Sequence, residues 1–167
     1  MSLTVRAARP GDAAVIAGLI GKLAEYEGLL DEVEASEAHI AAALFGPTPR
    51  VFADIAEWNG AAAGFALWFY NFSTFRGRHG IYLEDLFVEP HLRGRGIGKA
   101  LLARLARRCI DEGLGRLEWW VLDWNEATID FYRALGAQAM DDWTVFRLTG
   151  QALDRLGRGE DEDAGQV

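Results

Sequence analysis

The chain has 167 residues, half of them hydrophobic, a single cysteine and a formal net charge of −8 at pH 7, with a pI near 4.9. That length suits one domain with a sizeable core, and the charge argues against nucleic acid or an anionic membrane as a partner and favours a cationic small molecule. One cysteine, Cys109, excludes an internal disulfide, residues 1–5 lack a charged, apolar leader, and no stretch approaches the roughly 20 apolar residues of a membrane span; a soluble, cytoplasmic protein is expected.

Residues 3–9 read as a first strand, broken by Pro10-Gly11-Asp12, which supplies a helix start. Val15, Ile16, Leu19, Ile20 and Leu23 recur at helical spacing and predict a helix that ends at Gly28. An acidic connection with Asp31 and Glu32 leads to Ser36, a candidate N-cap for a second helix through Leu44. Two β-rich runs, 51–58 and 61–72, flank Asn59-Gly60, the dipeptide that best accommodates the positive φ angles of a tight hairpin. Residues 81–88 predict the next strand. A helix follows over about 98–112, with Leu101, Leu102, Leu105, Ala106 and Cys109 inward and Arg104, Arg107 and Arg108 on the opposite, solvated face. Residues 117–122 predict a parallel neighbour of strand 81–88 by a right-handed crossover. A short helix from Asn125 to about Leu135, a last strand over 144–148, and a tail disordered from about 157 and carrying Glu160-Asp161-Glu162-Asp163 complete the chain. The expectation is one domain over 1–150 and a tail over 151–167.

The strand at 81–88 runs into Arg93-Gly94-Arg95-Gly96-Ile97-Gly98-Lys99 and a helix start. Alternating glycines admit close approach of a ligand, and the helix aims free N–H groups and its positive dipole end at the loop, so the junction is a seat for an anion. A Walker A loop is excluded by Arg93 and Ala100, and a dinucleotide fingerprint by Lys99 where a third glycine is needed and by the position of the unit in mid-chain. What remains is Arg93-x-x-Gly96-x-Gly98 after a hydrophobic strand.

That loop resembles the acetyl-CoA pyrophosphate loop of the GCN5-related N-acetyltransferases (GNAT). Leu23-Ala24-Glu25-Tyr26-Glu27, Tyr82-Leu83-Glu84-Asp85-Leu86-Phe87-Val88, the glycine loop, and Trp124-Asn125-Glu126 followed by Phe131-Tyr132 are together similar to the diamine (spermidine/spermine) N-acetyltransferase branch. The resemblance implies an α/β fold with a central mixed, twisted sheet of about six to seven strands flanked by four helices and splayed between strands 81–88 and 117–122. It further implies acetyl transfer from acetyl-CoA to a primary amine, and a homodimer paired near the C-terminal strands.

The chemistry assigns roles. An acceptor ammonium with a pKa of about 10 has to lose a proton before its nitrogen attacks. Glu84, matching the family's strand carboxylate, is the candidate base, and strand alternation puts Glu84 and Asp85 on opposite faces unless a bulge intervenes. Backbone N–H groups near Leu86, Phe87 and Val88 are suited to an oxyanion and the pantetheine arm. The loop from Arg93 through Gly94, Arg95, Gly96, Ile97 and Gly98 to Lys99 is expected to grip the pyrophosphate. Tyr132 stands at the family's general-acid position for the departing thiolate, and Asn125, two helical turns earlier, is both an N-cap candidate and a pantetheine contact. Tyr26, Glu27, Glu84, Asp85, Trp119 and Asp142 are the expected acceptor contacts; of Trp119 and Trp120, strand alternation sends one to the core and one to the site. His39, His79 and His91 show no ligand spacing, so no metal is expected. Two other functions share these motifs: acetylation of a protein N-terminus or lysine, and a non-catalytic acyl-CoA-binding module.

Overall fold

A computed structural model describes residues 1–159, which divide into two compact units, Met1–Trp120 and the part from Val121 onward. The first unit runs β1 (Leu3–Ala7), α1 (Ala13–Glu27), α2 (Glu37–Phe45), β2 (Phe52–Trp58), β3 (Ala61–Ser73), β4 (Arg78–Val88), α3 (Ile97–Asp111) and β5 (Leu117–Trp119). Its sheet has the order β1-β2-β3-β4-β5, antiparallel except for the parallel pair β4 and β5 joined by α3. This is the α/β GNAT fold, with five strands among the described residues where six to seven were expected, and five helices where four were.

Local chemistry sets the element ends. Arg6 holds Asp12 at 2.7 and 3.0 Å, and Asp12 in turn accepts the Arg9 N–H at 2.7 Å, which fixes the turn that starts α1. Gly28 stops α1 in a left-handed conformation, φ 71°, which costs a glycine nothing. Ser36 accepts the His39 N–H and caps α2. Asn59 and Gly60 take φ 52° and 83° and close the β2–β3 hairpin.

The two sheet faces bury different things. Against α1 and α2, Ile55, Phe65, Leu67 and Phe87 close around Ile16, Leu19 and Leu44; each such fully buried side chain contributes about 1.5–3 kcal/mol. Toward α3, the buried Asp54 accepts the Trp68 indole N–H at 3.0 Å and Arg104 Nε at 2.5 Å, and the Arg108 guanidinium lies 5.0 Å from the Trp68 ring. Arg104 and Arg108 are therefore turned to the sheet, not to solvent as their helical position alone suggested.

In the second unit, α4 (Glu126–Ala134) is capped by Asn125, whose Oδ1 accepts the Thr128 N–H, and α5 (Gly150–Arg158) ends at a left-handed Gly159. The strand expected over 144–148 does not form: no ladder reaches it among the described residues, and Val145 and Phe146 are 56% and 92% exposed. A β-pattern without a partner backbone has nowhere to place its hydrogen bonds. The tail expected to be disordered from 157 is helical to Arg158; its acidic run at 160–163 lies outside the described residues.

Gly64 in β3 marks how closely β3 and β4 approach, since a Cβ there would sit 2.5 Å from the Phe87 carbonyl oxygen and 3.2 Å from the Val88 Cα. Gly64→Ala is expected to destabilise the protein by about 2–4 kcal/mol, read as a lower midpoint in urea unfolding with an unchanged slope.

Candidate active site

The site is built on a change of sides in β4. Up to Leu83, β4 pairs with β5, ending at Leu83↔Trp119. On its other side β4 pairs with β3, but the register jumps from Trp68↔Leu83 to Leu67↔Asp85, leaving Glu84 as an extra residue in a bulge. The jump resets which backbone groups face which neighbour. Ile81 N–H points to the β5 side, bonding Arg116 O at 3.0 Å, whereas Glu89 N–H bonds Ala63 O at 2.9 Å on the continuation of β3. Alternation back from Glu89 turns Phe87 and Asp85 toward β3, and Leu86 and Val88 away from it, along an edge that β5 no longer covers. Beyond Leu83 no β5 residue pairs with β4, since β5 ends at Trp119, and the Leu86 and Val88 N–H groups lie on the edge left unpaired.

The bulge also decides the faces. Leu67, paired with Asp85, belongs to the α1 face with Phe87 and Ile16, so Asp85 joins that face. There Asp85 meets the C-terminal turn of α1: burial first, then the charges of Glu84 and Glu27, push its carboxyl up to about 7. Burial also raises Glu27. Glu84 is exposed and Asp85 half-buried. The expected opposition of Glu84 and Asp85 is thus replaced by a cluster of three carboxylates, Glu27, Glu84 and Asp85. Asp31 and Glu32 stay exposed on the following turn.

At the C-terminal end of β4, Gly94 and Gly96 take φ 76° and 79°, and a Cβ at either would meet nothing within 4 Å. Gly96 caps α3 without a side chain, and the buried Ile97 anchors its first turn. Lys99 is exposed, and the first N–H groups of α3, from Ile97 through Gly98, have no intrahelical acceptor. The loop is an open, positively polarised concavity. Arg95 stacks 5.5 Å from the Trp58 ring. Arg93 lies 4.5 Å from the Tyr26 ring centroid and 5.6 Å from that of Phe87, while its Nε donates to Val88 O at 3.1 Å. Tyr26 is thereby tied to the loop by Arg93.

Trp119 pairs with Leu83, which stands beside Trp68 on the α3 face, so Trp119 is turned from the carboxylates. Trp120, 59% exposed, meets Tyr82 edge-on at 5.7 Å instead. Asn125 and Tyr132 lie two turns apart at the start and near the end of α4; Tyr132 is buried, and Asp142 is exposed in an irregular stretch of the second unit. Among the described residues no group of three or more His, Cys, Asp or Glu could hold a metal ion, and no helix is long and apolar enough to cross a membrane.

Asp85 stays protonated in the folded protein up to about pH 7, whereas in the unfolded chain it ionises near pH 4. Between those values the folded state binds more protons, so this group makes stability fall as pH rises through the window. Asp85→Asn is expected to raise the unfolding free energy by about 2 kcal/mol at pH 8 and to leave it nearly unchanged at pH 4, measured by denaturant unfolding at both pH values.

The sequence pattern described as "Acetyltransferase (GNAT) family" matches residues 22–137. A thialysine N-epsilon-acetyltransferase of Bos taurus is 40% identical over 163 residues, covering 91% of this chain and 95% of its own length. An L-ornithine N5-acetyltransferase of Arabidopsis thaliana is 43% identical over 96 residues, 58% of this chain and 42% of its own. Among solved structures, an integron cassette protein of V. cholerae superposes with a TM-score of 0.79 at 26% identity, covering 95% of this chain and 99% of that one. A β4 edge left unpaired and leading into a glycine loop at a helix N-terminus accords with that match, and the chain belongs to the GNAT acetyltransferase family.

Proposed function

We propose that the protein transfers an acetyl group from acetyl-CoA to the primary amine of a small cationic acceptor, a polyamine, diamine or lysine-like amine, and that residues 1–150 act as one acetyltransferase domain. The observation that carries this reading is the junction at the end of β4, where Glu84 and Asp85, an uncovered backbone edge and a glycine loop at a helix start follow one another between Glu84 and Gly98, with Glu27 of α1 set against Asp85. Relatives named as acetyltransferases of thialysine and ornithine support the acceptor class.

Acetyl-CoA supplies the acyl thioester, and the chain's own groups do the rest. The N–H groups of Gly96, Ile97, Gly98 and Lys99, with Arg95 and the tethered Arg93, suit the pyrophosphate. Leu86 and Val88 N–H, at the free edge beside Phe87, suit the pantetheine arm and the charge that builds on the thioester oxygen. Tyr26, Glu27 and Asp142 are offered to the cationic acceptor, and Glu84 with Asp85 to its ammonium. A carboxyl near pH 7 in that cluster holds or releases a proton at working pH, which suits removal of the ammonium proton ahead of attack. Trp119 stands in this reading as a wall behind β5 and not as a direct contact. Tyr132 is assigned the proton for the departing thiolate, and Asn125 a contact to the pantetheine arm. A homodimer fits the exposed Trp143, Val145 and Phe146, 74%, 56% and 92% accessible, and a reducing cytoplasm fits the single thiol.

Tyr132→Phe is expected to lower kcat by about 10²-fold with little change in the KM for acetyl-CoA, and Gly96→Val to raise that KM by at least about tenfold, because a β-branched residue resists positive φ and fills the loop. Steady-state acetylation of a panel of small amines, read by mass, checks both. Purified protein that neither binds acetyl-CoA nor acetylates any amine would overturn the reading.

A further inference from the structure

We propose that Lys22 and Glu89 are positioning residues for the acceptor: with Tyr26 and Arg93 they form a two-point clasp that sets the last turn of α1 against the donor loop. This rests on the acetyltransferase reading above and concerns how its two binding sites are held together. Lys22 and Tyr26 lie one turn apart on one face of α1. Glu89 and Arg93 flank the 3-10 turn Pro90–Leu92, which joins β4 to the glycine loop. The contacts run in register. Lys22 Nζ pairs with the Glu89 carboxylate, and one helical turn further on the Arg93 guanidinium lies 4.5 Å from the Tyr26 ring centroid.

The strand side of the clasp is a fixed bracket. Glu89 N–H donates to Ala63 O at 2.9 Å, Leu92 N–H to Glu89 O at 2.9 Å and Arg93 N–H to Pro90 O at 3.3 Å, while Arg93 Nε donates to Val88 O at 3.1 Å. The Glu89 side chain is 14% exposed and that of Lys22 53%, so a surface cation reaches into a preformed seat. The helix side needs such a hold. Ala24 is the last buried residue of α1, and no residue after it is buried until Leu44, so the core does not fix the turn that carries Tyr26 and Glu27. Yet Glu27 lies near enough to Asp85 for its charge to act there. The clasp supplies the hold that packing omits, and it references Tyr26 and Glu27 to the Val88 edge through Arg93. Amine and thioester react only when held at near-attack distance, so a looser turn costs acceptor binding.

The sign of one substitution separates this role from plain electrostatics. Lys22→Met removes a cation beside an acidic acceptor site. A through-space effect alone would weaken repulsion and lower the KM of a cationic acceptor, whereas loss of the clasp raises it. The test measures kcat and the KM values for acceptor and acetyl-CoA, with spermidine, cadaverine and lysine as acceptors, on the wild type, Lys22→Met, Lys22→Arg and the Lys22→Met/Glu89→Gln double variant. Lys22→Met is expected to raise the acceptor KM about threefold, the scale of an exposed ion pair, and to leave the KM for acetyl-CoA unchanged. Lys22→Arg is expected to restore the wild-type value, and the double variant, in which the lost charges cancel, to show the same threefold rise. An acceptor KM that falls or holds in Lys22→Met, an equal rise in the KM for acetyl-CoA, no rescue by Lys22→Arg, or no rise in the double variant overturns the clasp and leaves the enzyme an amine acetyltransferase. Should Lys22→Met fail to fold, the double variant and Lys22→Arg decide the matter. A wild type that acetylates no small amine overturns the acetyltransferase reading and this role with it.

Discussion

One extra residue in β4 governs the rest of the molecule's chemistry. Before Glu84 the strand is held on both sides, by β3 and by β5; after it, only β3 remains. A regular strand would keep the odd-numbered backbone groups facing β5 along its whole length. The bulge hands that edge to Leu86 and Val88 at the point where β5 departs, so the freed N–H groups come to lie where a ligand can take them. The same residue carries Asp85 onto the α1 face. The unpaired N–H edge and the carboxylate cluster thus arise from one irregularity, and α3, starting directly after, turns its own free N–H groups to the same end of the strand.

Electrostatics around this junction are arranged by where the cations go. Lys22 pairs with Glu89, Arg93 with the rings of Tyr26 and Phe87 and the Val88 carbonyl, and Arg104 with the buried Asp54. Among the described residues none of these cations neutralises Glu27, Glu84 or Asp85, and burial together with mutual repulsion holds Asp85 near neutrality. Such a cluster costs the folded protein stability wherever Asp85 is forced to ionise, which links stability to pH. Arg93 adds a mechanical tie, because it joins the turn that carries Tyr26 and Glu27 to the strand end ahead of the glycine loop.

Much of the scaffold was legible because its signals are local. Asn59-Gly60, Ser36, Gly28 and the helical spacing of Ile16 and Leu19 act within a few residues, and each produced the expected element. The glycine loop was legible for the same reason. What failed depended on a distant partner. Residues 144–148 have strand composition but no ladder among the described residues, while the tail expected from 151 onward is helical through Arg158. Trp119 was expected to line the acceptor site, but only its pairing with Leu83 says which face it takes, and that is the Trp68 face, away from the carboxylates. Asp54 gave no signal: it is one acid in a hydrophobic run, and its roles with Trp68 and Arg104 exist only once β2, β3 and α3 are stacked.

The sequence by itself determined the glycine loop, the strand that feeds it and the acidic balance of the chain, because glycine φ preferences, helix starts and charge are legible without knowing which strands pair. Only the tertiary structure decided that Glu84 is bulged, that Asp85 shares a face with Glu27, and that Lys22 and Tyr26 meet Glu89 and Arg93. Register is a relation between strands, and a shift of one residue exchanges every face, so no single stretch of chain can carry that information.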